Sequence, residues 1–271
     1  MNDEKFNQEY SILNPEQKKA VDTIDGPVFV MAGPGTGKTQ ILTLRIANIL
    51  KEAPGVEPEN ILALTFTNTA SYNMRERLSG LVGGELAHRV QINTFHSFAE
   101  EMIRANSDFF PRLFGARLVG DIERIELLEE LLTEMNSKYF SIFKRRSGTM
   151  GSVMFAIDKI KNEGLTALEF EQKTLEQFAS SMKDEALFYK VSRGDKKKGD
   201  IKPAELAKRE RRRDKNLELG NLYEGYQSKM EEKNFYDFSD LILFFIDSLQ
   251  SNEEFKMEMQ ERFQYILVDE H

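Results

Sequence analysis

Residues 32–39 read Ala-Gly-Pro-Gly-Thr-Gly-Lys-Thr, and this stretch decides the fold of the 271-residue chain. It follows an apolar run, residues 27–32, and precedes apolar residues at helical spacing from Ile41 onward. The pattern G-x-x-x-x-G-K-S/T is met except at its first position, which is Ala32. Glycines permit backbone angles that other residues avoid, so successive N–H groups can converge on one anion at the positive end of a helix. The stretch therefore predicts a phosphate-binding loop with a nucleoside triphosphate as its ligand.

Two side chains at the end of this loop have predicted roles of their own. The Lys38 ammonium is expected to reach the β- and γ-phosphates, and the Thr39 hydroxyl is expected to ligate Mg²⁺. The predicted phosphate-binding residues are Ala32, Gly33, Pro34, Gly35, Thr36, Gly37, Lys38 and Thr39.

The composition limits the other classes of function. Hydrophobic residues make up 40% of the chain and charged residues 30%, which is typical of a globular protein. The longest apolar run, residues 241–246, is far too short to span a membrane, and the N-terminus has no signal-peptide layout, so we expect a cytoplasmic protein. The chain has no cysteine and only 3 histidines, so we expect no disulfide and no structural zinc site.

Charge is unevenly distributed along the chain. The net charge of −8 by itself disfavours binding to nucleic acid. Residues 190–215, however, contain twelve Lys or Arg and five Asp or Glu. A basic stretch on an acidic protein predicts either a phosphate-contacting surface or a solvated loop, and the sequence leaves both open.

Apolar runs typical of buried strands alternate with helical patterns over the first 110 residues. The runs with strand character are residues 27–32, 61–66 and 90–95. Continuous apolar strands that alternate with helices predict a parallel sheet covered on both faces.

From about residue 109 this alternation stops. Helical patterns follow at residues 122–135 and 159–188, a further helix follows Leu217, and residues 265–268 form a last short strand. Two tyrosines of the third helix, Tyr223 and Tyr226, are expected to pack in a core. The predicted architecture is an α/β P-loop NTPase domain interrupted by an all-helical insert, with the α/β domain at residues 1–108 and 217–271 and the insert at residues 109–216.

Two adjacent carboxylates, Asp269 and Glu270, follow the last predicted strand. In a P-loop enzyme an aspartate in this position holds Mg²⁺, and the following glutamate polarises the attacking water. Acidic residues also end ordinary strands, but beside a phosphate loop we favour the metal site. The predicted catalytic residues are therefore Lys38 and Glu270, and the predicted Mg²⁺ ligands are Thr39 and Asp269.

Seven motifs occur in the order and spacing of one helicase family. They are LNPEQ (13–17), AGPGTGKT (32–39), LTFTN (64–68), TFHSF (94–98), KNEG (161–164), DFSDLI (237–242) and VDE (268–270). With these motifs the chain resembles the UvrD/Rep/PcrA-type superfamily 1 DNA helicases, in which a RecA-like domain 1A carries an inserted helical domain 1B. The resemblance implies an ATP-driven motor, with Mg²⁺ as cofactor, that translocates 3′ to 5′ on single-stranded DNA and unwinds duplex DNA.

The resemblance also implies roles that the residues alone leave open. Gln17 would hydrogen-bond the adenine edge of ATP, although Asn14 and Gln17 also have the spacing of a helix capping box. Phe66 would stack on a DNA base, although its residue type alone favours a core position. The residues implied to contact DNA are Phe66, Thr67, Asn68, Thr94, Phe95 and His96.

The chain departs from the family pattern at several places. Gln40, next to the phosphate loop, is also expected at the nucleotide, but it stands where better-known members have an arginine against adenine. Thr69 replaces a lysine, and Ser239 replaces an aspartate. Motifs III to VI, with the arginine fingers and the second RecA-like domain, would follow residue 271. An arginine finger contributes about 10³–10⁵ in rate. We therefore expect this chain alone to bind ATP–Mg²⁺ weakly, to hydrolyse ATP very slowly and not to unwind DNA.

The same motifs are compatible with two other functions. The motor part of an AddA/RecB-like helicase–nuclease has the same motifs, and only sequence beyond residue 271 distinguishes it. A catalytically silent, nucleotide-gated DNA-binding module would require a natural protein that ends near residue 271. The expected partners are single-stranded and duplex DNA and the C-terminal RecA-like domain of the same protein, and no membrane is expected.

Overall fold

Two units make up the computed structural model of the chain. It describes residues 2–33, 35–135, 137–140, 148–192 and 197–269. Unit 1 comprises Met1–Pro111 and Phe244–His271, and unit 2 comprises Arg112–Leu243. No helix in the described ranges combines the length and the apolar character that crossing a lipid bilayer requires.

Unit 1 is built from helices around a small parallel sheet. Its helices are α1 (Asp3–Ser11), α2 (Pro15–Asp22), α3 (Lys38–Glu52), α4 (Asn68–Val82), α5 (Gly84–Arg89), α6 (Phe95–Ala105), the later part of α11 (Phe238–Ser251) and α12 (Glu253–Arg262). Its strands are β1 (Ile61–Thr65), β2 (Gln91–Thr94) and β5 (Tyr265–Val268). The predicted strands at residues 61–66, 90–95 and 265–268 are thus confirmed.

The central strand of this sheet is β1, and the strand order is β2-β1-β5 with both pairings parallel. All five residues of β1 are buried, as expected for a parallel strand covered on both faces. The register sets Thr65 opposite Thr94 and Leu64 opposite Val268. The carboxyl ends of the three strands therefore meet at one edge of the sheet.

The apolar run at residues 27–32 is not a strand, so this prediction is wrong. The run has no regular secondary structure, and Phe29 and Met31 are 75% and 88% exposed. In the described part of the chain β5 pairs with β1 alone. A cavity of about 350 Å³ separates residues 24–26 from residues 264–267 of β5 and its approach. An apolar run becomes a strand only where its backbone groups find hydrogen-bonding partners, and residues 27–32 belong to neither sheet in the described part of the chain.

The core of unit 1 contains the apolar face of α3. Ile41, Leu44, Ala47 and Ile49 are all buried in one cluster with residues from α1, α2, α4, α5 and the sheet. This confirms the helical pattern that follows the phosphate loop. Burying a side chain of the Leu or Ile type contributes about 1.5–3 kcal/mol, so this face anchors the start of α3 against the sheet.

Unit 2 is mostly helical, whereas the predicted insert is all-helical. Its helices are α7 (Asp121–Glu134), α8 (Gly148–Asn162), α9 (Ala167–Ser181), α10 (Pro203–Glu232) and the start of α11. A parallel pair of two-residue strands, β3 (Arg117–Leu118) and β4 (Phe235–Tyr236), adds a small sheet that the sequence pattern did not reveal. Tyr223 and Tyr226 are buried in the helical core, which confirms their predicted packing.

Two element boundaries in unit 2 differ from the predicted ones. The helical pattern at residues 159–188 is divided between α8 and α9, because Gly164 has φ +67° and ends the first helix. The predicted return to the α/β domain at residue 217 falls inside α10, a continuous helix of 30 residues. Since α10 packs on α9 and α7 along its length, unit 2 extends to Leu243.

Candidate nucleotide and DNA site

The loop before α3 presents the amino end of a helix with no side chain to cap it. Gly37 is the N-cap residue, with φ +86°, and no side-chain hydrogen bond caps the first turn. Gly35 also has a positive φ, +75°. Only glycine adopts these angles without strain, and the uncapped N–H groups of the first turn are the donors that phosphate oxygens accept.

Hydrogen bonds hold this loop against α2. The Thr36 hydroxyl donates to the Gly33 carbonyl at 2.7 Å, and the Gln17 amide Nε2 donates to the Thr36 carbonyl at 3.1 Å. Ala32 is half-buried, and Lys38 at the start of α3 is partly exposed. Pro34 lies outside the described residues. The loop is therefore held by Thr36 and by Gln17 of α2, and within the described ranges the Lys38 ammonium makes no hydrogen bond or ion pair.

Thr39 and Asp269, which are 230 residues apart in sequence, meet beside this loop. The Thr39 hydroxyl donates to Asp269 Oδ2 at 3.3 Å. Asp269 is buried, and its backbone N–H donates to the Leu64 carbonyl at 2.9 Å, which extends the β1–β5 ladder by one residue. The end of β5 thus carries the carboxylate to the first turn of α3. Glu270 lies outside the described residues.

The donor set fits a magnesium ion. A hydroxyl and a carboxylate are hard oxygen ligands, and Mg²⁺ is usually held by one or two protein oxygens while water and phosphate complete its octahedron. Within the described ranges no group of three or more His, Cys, Asp or Glu side chains is arranged to hold a metal ion. The two oxygens of Thr39 and Asp269 therefore suit Mg²⁺ on a nucleotide rather than a metal enclosed by protein.

Gln17 serves as a capping residue and also faces the loop. Its Oε1 accepts from the Asn14 N–H, and its own N–H donates to Asn14 Oδ1, both at 2.9 Å, which is the capping box expected from the sequence. Gln17 lines a cavity of about 690 Å³ that extends along residues 27–33 to Thr36 and Ile41. One Nε2 hydrogen is used by Thr36, and the second has no partner among the described residues.

Gln40 lies on the same side of the loop as Gln17. A Cβ atom added to Gly37 would lie 3.6 Å from Gln40 Oε1 and 3.9 Å from Gln17 Nε2. The two amides therefore flank the N-cap of α3 together. At position 40 this chain thus has an uncharged amide, where better-known members of the family that it resembles have an arginine.

The residues implied to contact DNA lie at the carboxyl ends of β1 and β2. Phe66 directly follows β1 and is 75% exposed, so the core position favoured by its residue type is wrong. Thr67 and Thr94 are N-cap residues. The hydroxyl oxygen of each accepts a hydrogen bond from the backbone N–H three residues later, at 3.1 Å for Thr67 and 3.2 Å for Thr94. The remaining implied residues differ in exposure: Asn68 and His96 are exposed and Phe95 is half-buried.

A buried ion cluster in unit 2 was missed by sequence reasoning. The Lys161 ammonium donates to Asp237 Oδ2 at 2.8 Å and to Asp240 Oδ1 at 2.7 Å, and all three residues are at most 2% exposed. Burial would raise the pKa of Asp237, but the charge and hydrogen bond of Lys161, together with Arg124, hold it below its usual range. Burial raises the pKa of Asp240. The signal in the sequence was the pair of motifs KNEG and DFSDLI, whose charged residues adjoin apolar ones.

Comparisons with known proteins agree with these observations. The UvrD/REP helicase N-terminal domain family matches residues 13–271 of the chain. The ATP-dependent DNA helicase PcrA of Staphylococcus aureus (strain Mu50 / ATCC 700699) is 32% identical over 259 residues, which cover 96% of this chain and 29% of that protein. DNA helicase II of Rickettsia typhi is 32% identical over 276 residues, which cover 100% of this chain and 35% of that protein.

A third relative has a similar extent. The probable DNA helicase II homolog of Rickettsia conorii is 31% identical over 263 residues, which cover 96% of this chain and 33% of that protein. The chain therefore spans about a third of the length of these relatives.

Proposed function

Because the chain belongs to the UvrD/REP helicase N-terminal domain family, we propose that it is the ATP-binding part of a DNA helicase that moves 3′ to 5′ on single-stranded DNA and unwinds duplex DNA. The observation that carries the proposal is the 3.3 Å contact between the Thr39 hydroxyl and the Asp269 carboxylate beside an uncapped helix N-terminus. A Walker-type nucleotide site needs these two oxygens together.

Each group of the site has one proposed role. The N–H groups at the start of α3 and the Lys38 ammonium bind the phosphates of ATP, and the Thr39 and Asp269 oxygens hold Mg²⁺. Bound Mg²⁺ supplies positive charge to the β- and γ-phosphates. Gln17 donates its second amide hydrogen to the adenine edge, with Gln40 beside it. Glu270, from its place in the sequence, accepts a proton from the attacking water.

We place single-stranded DNA at the carboxyl edge of the sheet. Phe66 offers an exposed ring there, and base stacking on an aromatic ring tolerates any base sequence, as a translocating motor requires. Phe66 follows β1, and Asp269 follows the adjacent strand β5. Neighbouring strand ends therefore carry the proposed DNA and Mg²⁺ contacts. Nucleotide binding at one strand end can thus affect DNA binding at the next.

The activity proposed for the chain alone is narrower. It corresponds to about a third of the length of its relatives. We propose that it binds ATP–Mg²⁺ weakly and single-stranded DNA detectably, that its hydrolysis is very slow, and that unwinding needs the further domain expected of the full-length protein.

Titration with a fluorescent ATP analogue tests the proposed phosphate site. Lys38→Ala is expected to weaken binding about 10–100-fold, because a charge-assisted hydrogen bond to phosphate is lost. Lys51→Ala, at the far end of the same helix, is the matched control and should leave the affinity unchanged. Equal affinities for the wild type and Lys38→Ala would refute the assignment of the loop.

The same titration with and without Mg²⁺ tests the metal site. We expect Mg²⁺ to tighten nucleotide binding by the wild-type chain and to have little effect on Asp269→Asn, since an amide oxygen is a poorer Mg²⁺ ligand than a carboxylate. If Asp269→Asn retains the full response to Mg²⁺, the Thr39–Asp269 pair does not hold the ion.

A further inference from the structure

A basic cleft lies between α9 and α10 in unit 2. Its cavity has a volume of about 360 Å³. This volume is within the range of about 300–1,000 Å³ typical of small-molecule sites. Helix α10 lines the cleft with four cationic side chains, Lys208, Arg209, Arg212 and Arg213. The acidic residues that line it are Asp184 and Glu205, so the lining carries more positive than negative charge.

Two of the arginines are held in place by contacts within unit 2. Arg209 donates to the Ser181 carbonyl and pairs with Asp184 at 3.1 Å. Arg213 lies over the Phe178 ring, with its guanidinium carbon 4.4 Å from the ring centroid, and pairs with Asp214 at 2.7 Å. These contacts order the walls of the cleft and neutralise part of its charge.

The other two cations have no such partners. Lys208 and Arg212 are exposed, and in the described part of the chain neither makes a hydrogen bond or an ion pair. Glu205 is the one acidic lining residue that no ion pair neutralises within the described ranges. The cleft therefore presents two free cations against one free carboxylate.

Neutral hydrogen-bonding groups also line the cleft. Thr174 lies there, and its hydroxyl makes no hydrogen bond to another described residue. The amides of Gln177 and Asn216 line the same cleft. A ligand with several acceptor oxygens would satisfy the hydroxyl and both amides.

We propose that the α9–α10 cleft binds a phosphate group. Guanidinium groups match phosphate oxygens in a two-pronged geometry, and the hydroxyl and amides add neutral donors. The cavity is larger than one phosphate, so the ligand carries the phosphate on a larger body. That body is either a free nucleotide-like molecule or a nucleic-acid backbone, and in the second case the inference rests on the proposed helicase function.

Hydrogen–deuterium exchange with and without pyrophosphate tests the site. We expect pyrophosphate to slow exchange in peptides that cover residues 174–184 and 205–216. Protection of residues 35–40 in the same experiment reports on the phosphate loop, so the two sites succeed or fail separately. Protection of the loop without protection of either cleft peptide overturns the proposal.

A matched pair of variants identifies the residue responsible. Arg212 lines the cleft, whereas its neighbour Arg211 is exposed and does not line it. Arg212→Gln is expected to raise the pyrophosphate concentration for half-protection of the cleft peptides about tenfold, as for loss of a charge-assisted hydrogen bond. Arg211→Gln removes the same charge and should leave that concentration unchanged. Equal effects of the two variants would show general charge attraction and no built site.

Thr174→Val tests the hydroxyl in the cleft. The substitution keeps the shape of the side chain and removes a hydroxyl that bonds no other described residue, so the melting temperature should change little while cleft protection by pyrophosphate weakens. A lower melting temperature with unchanged protection would mean that the hydroxyl serves the fold alone, and it would contradict the proposal.

Duplex DNA binding as a function of salt distinguishes the two sources of phosphate. If Arg212→Gln lowers the slope of log affinity against log salt by about 1 and Arg211→Gln does not, the ligand is a backbone phosphate of DNA. If the two slopes are equal while pyrophosphate protection depends on Arg212, the ligand is a free phosphate-bearing molecule. Both results support a phosphate site in the cleft.

Discussion

At the residue scale, the buried charge of Lys161 holds two elements of unit 2 together. Its ammonium lies between the carboxylates of Asp237 and Asp240, and Tyr226 donates to Asp237 Oδ2 at 3.1 Å. A buried ion pair stabilises a fold little more than apolar side chains of similar volume would. Removing one partner, however, leaves an uncompensated buried charge, which destabilises the fold strongly. The cluster therefore ties α8 to the start of α11 within unit 2.

We expect Lys161→Met to lower the free energy of unfolding by about 3–5 kcal/mol, because both aspartates lose their cation. Urea unfolding followed by circular dichroism measures this change. Lys159→Met, on the exposed face of the same helix, is the control and should have little effect. The triple variant Lys161→Met, Asp237→Asn, Asp240→Asn should recover part of the loss. A single variant no less stable than the wild type would show that the cluster is not buried as a unit.

At the scale of elements, the junction of a strand with the next helix divides the candidate DNA residues into two kinds. Thr67 and Thr94 cap α4 and α6, so their hydroxyls already have backbone partners. Phe66 lies one residue before the first of these caps and has an exposed ring. The element boundary thus gives the threonines a structural role and leaves Phe66 available to a ligand.

Alanine substitutions should separate these roles. Thr67→Ala and Thr94→Ala are each expected to cost about 0.5–2 kcal/mol of stability, as for other helix caps. Phe66→Ala should change stability little and should weaken single-stranded DNA binding by about 1–3 kcal/mol through loss of stacking. Thermal unfolding and fluorescence anisotropy measure the two properties. A loss of stability near the 3–5 kcal/mol typical of a core phenylalanine would contradict the exposed position.

At the scale of the whole molecule, the apolar run at residues 27–32 stands apart from the sheet. Phe29 and Met31 are exposed, and so are Ile266 and Val268 on β5, at 61% and 39%. Exposed apolar side chains beside an unpaired strand edge favour association between chains. We therefore expect this surface of unit 1 to promote association between chains.

Replacing Phe29 and Met31 by lysine should reduce self-association without lowering the melting temperature, since neither side chain is buried. Sedimentation and light scattering at increasing concentration measure the association. A large fall in melting temperature would instead show that the run packs in the core, as its sequence pattern suggested.

Local features followed directly from the sequence because neighbouring residues determine them. The glycines of the phosphate loop and the capping box of Asn14 and Gln17 depend on residues close in sequence, and the apolar face of α3 is visible as apolar residues at helical spacing. The strands β1, β2 and β5 were equally readable, because a continuous apolar run between turns is typical of a covered parallel strand. The family of the chain could also be inferred, since seven motifs occur in one order.

Features that depend on distant partners needed the folded chain. The run at residues 27–32 has a strand's composition but pairs with no strand in the described part of the chain, and the exposure of Phe66 follows from where β1 ends. The meeting of Lys161 with Asp237 and of Thr39 with Asp269 joins positions 76 and 230 residues apart. Local chemistry sets how a segment can bend and what it can bind, whereas only packing decides which groups come within a few ångströms of it.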